Sequence, residues 1–81
     1  MKLLLIDDND LDRQAIIRTF RKTEWDITIS QACSAAEGLE QFDSNDFDAV
    51  LLDYRLPDID GLEVLQLLNK HPQHHAAVII L

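Results

Sequence analysis

Ala49-Val50-Leu51-Leu52-Asp53-Tyr54-Arg55-Leu56-Pro57-Asp58-Ile59-Asp60-Gly61 is the stretch on which the fold turns. A short apolar run stops at an aspartate and gives way to a loop rich in turn-forming residues. Ligands of an open α/β sheet bind outside the carboxyl ends of its strands, so an acid placed there faces the reaction space. Lys2-Leu3-Leu4-Leu5-Ile6 repeats the pattern and stops at Asp7 and Asp8. If these two strands lie side by side, three carboxylates converge on one edge.

Working outward, both runs are continuously apolar and too short for helices, the mark of strands covered on both faces. Ile27-Thr28-Ile29-Ser30-Gln31-Ala32 alternates instead, as a strand at a sheet edge does. Between the first two strands, Asn9 or Asp10 can cap a helix that ends near Lys22 or Thr23, with Leu11, Ala15, Ile16 and Phe20 inward. Ser34-Ala35-Ala36-Glu37 has capping-box spacing and opens a second helix with Ala35, Leu39 and Phe42 inward. Gly38 inside it costs about 1 kcal/mol relative to Ala, so this helix is expected to be the weakest. Pro57 disfavours helix at Leu56, and Asp60 and Glu63 open a third helix with Leu62, Leu65 and Leu68 inward, ended by Pro72. Ala77-Val78-Ile79-Ile80-Leu81 is a fourth apolar run. Strands alternating with helices predict an α/β domain with a parallel sheet and right-handed crossovers. The fourth strand has no covering element after it, which predicts an incomplete domain with an edge open to self-association.

The 81 residues allow one domain, and 47% hydrophobic with 27% charged residues is a globular composition. A net charge of −8 argues against direct nucleic acid binding, which needs clustered Lys and Arg. No apolar run reaches the roughly 20 residues of a membrane span, and no signal peptide is visible. The single cysteine, Cys33, cannot form an internal disulfide, in keeping with a reducing, cytoplasmic setting.

Three carboxylates at adjacent strand ends repel one another unless a cation joins them. Oxygen ligands in small number, completed by water, suit Mg²⁺. Such an ion can hold a phosphoryl oxygen, and a carboxylate can be the nucleophile that accepts the group. The bland alternative is a solvated loop whose acids merely favour the helix dipole.

The segments Leu4-Leu5-Ile6-Asp7-Asp8 and Leu51 to Gly61 together resemble the receiver domain of two-component response regulators. The resemblance runs from Met1 to Leu81 and implies a flavodoxin-like sheet of order 2-1-3-4, lacking the last helix–strand–helix portion of a (βα)5 domain. It implies that Asp53 is phosphorylated by a sensor histidine kinase or histidine phosphotransfer protein. Asp8 would ligate Mg²⁺ directly, Asp7 would act through a coordinated water, and the Arg55 backbone carbonyl would complete the metal shell. Pro57 and Gly61 fit the family's loop. The basic face of the first helix, Arg13, Arg18 and Arg21, would dock the phosphodonor, the alternative being a merely solvated face. The family's Ser or Thr after the fourth strand and Lys ending the fifth have no counterpart up to Leu81. Removing oriented donors of this kind typically costs about 10²–10³ in rate, so the chain as it stands is expected to be a poor phosphoacceptor. The chain is thus expected to be a signalling phosphoacceptor and not an enzyme in the ordinary sense. The alternative is a binding or self-association module that is never phosphorylated.

Other readings fail on position. Asp8-Asn9-Asp10-Leu11-Asp12 imitates an EF-hand, but Arg13 and Thr19 stand where that loop needs Gly and Glu. Asp8-Asn9-Asp10 as an aspartyl phosphatase pair falls inside the helix start. His71, His74 and His75, around Pro72, read as a solvated loop with no acid or thiol nearby, not as a metal site. Cys33 reads as a packing residue, and Trp25 as a cover for the loop between first helix and second strand.

Overall fold

The computed structural model describes residues 1–71 and 76–81. Pro72, His74 and His75, named above, lie outside them. The elements run β1 (Lys2–Ile6), α1 (Asp10–Arg21), β2 (Thr28–Ala32), α2 (Ala35–Ser44), β3 (Ala49–Leu52), α3 (Gly61–Asn69) and β4 (Ala77–Ile80). All strand pairs are parallel and the order is β2-β1-β3-β4. Continuously apolar β1 and β3 are therefore central and alternating β2 is an edge, as strand character predicted, while β4, equally apolar, lies at the other edge.

Successive side chains of a strand point to opposite faces. Leu4, Ile6, Val50 and Leu52 point to one face and meet Ala35 and Phe42 of α2 and Val64 and Leu68 of α3. Leu5 and Leu51 point to the other and meet Ile17 of α1. Among the described residues β4 pairs with β3 alone, and Ile79, Ile80 and Leu81 remain 49%, 36% and 54% exposed.

The helices begin as predicted, and their phase holds in part: Ala35, Leu39 and Phe42 of α2, Ile16 and Phe20 of α1 and Leu68 of α3 face the core as expected. Asn9 caps α1 by accepting from the Asp12 N–H at 3.0 Å, and Asp60 caps α3 by accepting from the Leu62 N–H at 2.8 Å. On α1, however, Ile17 is buried while Leu11 is 79% exposed and Ala15 is exposed; on α3, Val64 is buried and Leu62 is 50% exposed. Both helices carry apolar residues over more than one stripe, and Ile17 and Val64 join the inward face in place of Leu11 and Leu62. Trp25 does not close over its loop: it is 69% exposed and lines a cavity of about 320 Å³ with Ile17, Phe20 and Ile29. Gly38 in α2 has a packing reason, because a Cβ there would collide with the Ile6 side chain, whose Cγ1 would lie at 2.7 Å. The capping box is modified too. Ser34 Oγ accepts from the Glu37 N–H at 3.2 Å, but Glu37 Oε2 accepts from the N–H of Cys33, at 3.3 Å.

Candidate functional site

The sheet ladder continues into the acids. The Asp53 N–H donates to the Ile6 carbonyl at 2.9 Å, and the Asp7 N–H donates to the Ala32 carbonyl at 3.0 Å. With Ile6 level with Leu52, the next residue on each strand leaves the sheet at the same height. One carboxylate oxygen each from Asp7, Asp8 and Asp53 consequently lies within 4.8 Å of the other two. Asp7 is buried at 4% exposure, Asp53 is half-buried and Asp8 is exposed.

Burial pushes the Asp7 carboxyl above the ordinary carboxylate range. The Asn9 N–H, donating to Asp7 Oδ1 at 2.9 Å, pulls the other way, while the charges of Asp53 and Asp12 and a hydrogen bond shared with Asp53 push it further up. The sign for stability follows. A carboxyl raised in the folded state is harder to ionise there than in the unfolded chain, so the metal-free fold loses stability as pH rises through the ordinary carboxylate range towards Asp7's raised value. Asp7→Asn keeps the acceptor for Asn9 and removes the charge. Its thermal midpoint in chelator at neutral pH is expected to exceed that of the wild type, and the difference to vanish on acidification; differential scanning calorimetry over pH checks both.

The loop after β3 is held from several directions. The Arg55 N–H donates to Asp53 Oδ1 at 3.1 Å, fixing the carboxylate against its own turn. Arg55 and Asp60 form an antiparallel bridge, and the Gly61 N–H donates to the Tyr54 carbonyl at 3.0 Å. A Cβ at Gly61 would stand 2.8 Å from Tyr54 Cα, so the chain can close there only with glycine. Leu56 and Ile59 anchor the loop in the core.

Asp58 supplies a contact that sequence reasoning missed. Its two oxygens accept from the N–H groups of Ala35 and Ala36, both at 2.9 Å, tying this loop to the start of α2. These bonds hold its carboxyl below the ordinary range. Nothing local in the sequence announces a cap supplied from so far along the chain.

The three arginines of α1 separate. Arg18 and Arg21 are exposed, whereas the Arg13 side chain is 13% exposed and turned inward. His71 is also not simply solvated. Its Nε2 lies 2.9 Å from Asp43 Oδ1 and its ring stands edge-on to Phe42 at 5.2 Å, so an acid is nearby after all. Exposed Cys33 has Sγ 3.1 Å from Glu37 Oε2, which pushes its thiol up, away from the reactive thiolate.

Among the described residues, no helix is long and apolar enough to cross a membrane. Residues 3–81 match the family model of the response regulator receiver domain. GacA of Pseudomonas syringae is 36% identical over 73 residues, covering 89% of this chain and 34% of the relative. BtsR of Escherichia coli is 34% identical over 82 residues, all of this chain and 33% of the relative. The chain thus spans about a third of those two proteins, and a tenth of the Dictyostelium discoideum cyclic-nucleotide phosphodiesterase regA, to which it is 28% identical. Among solved structures, TrrA of Thermotoga maritima, determined with Mg²⁺-BeF, superposes with a TM-score of 0.87 at 29% identity, covering 98% of this chain and 66% of the other. A parallel sheet in this order, acids at its edge and a family match over almost every residue together establish that the chain belongs to the receiver domains of two-component response regulators.

Proposed function

We propose that this chain is one partial receiver domain that accepts a phosphoryl group on Asp53 in the presence of Mg²⁺, as a switch in two-component signalling. The observation that carries the reading is the convergence of Asp7, Asp8 and Asp53 within 4.8 Å. The donor set fits the metal: it is all oxygen, carries excess negative charge and includes a carboxyl whose ionisation the fold alone opposes. Asp8 and Asp53 would hold Mg²⁺ with the Arg55 carbonyl, and Asp7 through water. Bound there, the ion offsets negative charge on the phosphoryl oxygens.

The chain's own part is nucleophile and orientation. An Asp53 oxygen forms a bond to phosphorus while the donor's P–N or P–O bond breaks, and the leaving group keeps that electron pair. The Arg55 N–H restrains the carboxylate's rotation. Hydrolysis breaks the new bond, restoring the carboxylate and releasing inorganic phosphate. The donor would be a sensor histidine kinase or histidine phosphotransfer protein, docking beside Arg18 and Arg21, which are exposed on α1. A cytoplasmic setting follows from such a donor.

Intact mass after incubation with acetyl phosphate tests the reading. The expected result is a gain of one phosphoryl group with Mg²⁺, none with chelator, and loss of the adduct in hydroxylamine, as an acyl phosphate requires. No gain at saturating donor and Mg²⁺, after incubation prolonged about a thousandfold over that of an ordinary acceptor to offset the slow uptake, would overturn it.

The unpaired β4 edge favours a second reading, self-association. Ile79 and Ile80, with Leu81 just after them, are exposed on a strand that among the described residues pairs with β3 alone. A sedimentation coefficient rising with concentration, and no longer doing so in Ile80→Lys, is the expected result; a monomer throughout removes this reading.

A further inference from the structure

Arg13 differs from every other basic residue of α1 in pointing inward, and its guanidinium bridges three acceptors. Nη1 donates to the Asp7 backbone carbonyl at 2.7 Å, Nη2 to Asp10 Oδ1 at 2.8 Å and Nε to Gln31 Oε1 at 3.2 Å. The first of these matters most. The Asp7 carbonyl belongs to the peptide unit that joins Asp7 to Asp8, the two acids on this side of the site. The N–H on the other side of Asp7 is already held by the Ala32 carbonyl at 3.0 Å. A planar peptide gripped at its oxygen has little freedom to rotate, so the backbone torsions that aim the two carboxylates relative to each other are set. Asp10 and Gln31 hold the guanidinium in turn, and Gln31 precedes Ala32 on β2. The turn after β1 is thereby strapped to both the edge strand and the first turn of α1.

We propose that Arg13 is a positioning residue of the acidic site, which fixes the Asp7–Asp8 peptide so that both carboxylates are aimed at one cation. The inference rests on the Mg²⁺ reading above and assigns Arg13 to the site instead of to a docking surface. Electrostatics and positioning predict opposite signs. A cation beside a cation site weakens binding by repulsion, so on charge alone Arg13→Ala tightens Mg²⁺ and Arg13→Lys leaves it unchanged. As a positioning residue, Arg13 has no adequate replacement in either. Lysine keeps the charge but is one flexible ammonium in place of a planar fork with fixed donors. Alanine leaves a part-buried carbonyl without its donor.

Calorimetric titration of wild type, R13K and R13A with Mg²⁺ decides between them, with thermal midpoints in chelator recorded alongside. The expected result is affinity weaker by about tenfold in both variants, the low end for groups that orient metal ligands. With acetyl phosphate, which has no need of a docking helix, adduct formation should demand correspondingly more Mg²⁺ and recover as Mg²⁺ saturates. R13K carries the test alone if R13A does not fold. Wild-type affinity in R13K, or tighter binding in R13A, overturns the assignment. Wild type that binds no Mg²⁺ overturns instead the reading on which it rests.

Discussion

Asp53→Asn is expected to abolish the Mg²⁺-dependent phosphoryl adduct while leaving the fold intact. The loss is complete because an amide oxygen is a poor nucleophile and forms no acyl phosphate, whereas a carboxylate does. The fold survives because the contacts of residue 53 are kept. Its N–H still reaches the Ile6 carbonyl, and the amide oxygen still accepts from the Arg55 N–H, bonds of 2.9 and 3.1 Å in the native chain. One charge also leaves a cluster whose members repel, so the metal-free thermal midpoint should stay level or rise. Intact mass and circular dichroism check the two halves. An adduct of wild-type size in this variant would move the acceptor elsewhere, Asp8 being the next acid in reach. Unfolding would show that the charge of Asp53 is structural, against the repulsion described here.

The second large effect lies one residue upstream. Leu52 is fully buried between β1 and the α2–α3 layer. Leu52→Ala removes its side chain from a sheet too regular to collapse into the space, and such substitutions cost about 2–5 kcal/mol. A domain of this length has about 4–12 kcal/mol in total, with small domains at the lower end. The expected outcome is a urea midpoint lowered by about a sixth at the least, with a detectable unfolded population in water at the upper end of the range. Leu11→Ala is the control: at 79% exposure it should change the midpoint little. Equal losses in the two would restore the helix phase that periodicity suggested and contradict the packing found here. Since Leu52 also carries the backbone into Asp53, its loss should reduce phosphoryl uptake in proportion to the folded fraction.

Both variants act where strand and site meet, and that junction is the part of the molecule most legible from residues alone. Apolar runs that stop at acids, alternation confined to one strand, and capping residues ahead of each helix are local signals. They foretold the element order, the central places of β1 and β3, the edge place of β2 and the convergence of Asp7, Asp8 and Asp53. Parallel pairing preserves such information, because a strand's covering on two faces or one is written in its own composition.

Helix phase was legible in α2, where Ala35, Leu39 and Phe42 face the core as expected, and only partly so in α1 and α3. In α1, Leu11 and Ile17 belong to different stripes, and a period of about 3.6 residues leaves either able to face inward. Which one does so depends on how the helix sits on β1 and β2, a property of the assembled layers. The cost of Gly38 looked local and is tertiary, since Ile6 fills the space a side chain would need.

What the sequence by itself determined was which residues are chemically able to form the site and at which strand ends they stand. Only the tertiary structure decided what holds them there. Asp58 reaches α2 across 22 and 23 residues, and Arg13 reaches Gln31 across 18. Those partners are strangers in sequence, brought together when helices settle on opposite faces of one sheet. Three acids can be read in a line of letters, but the hydrogen bonds that aim them form only after the chain has closed its loops.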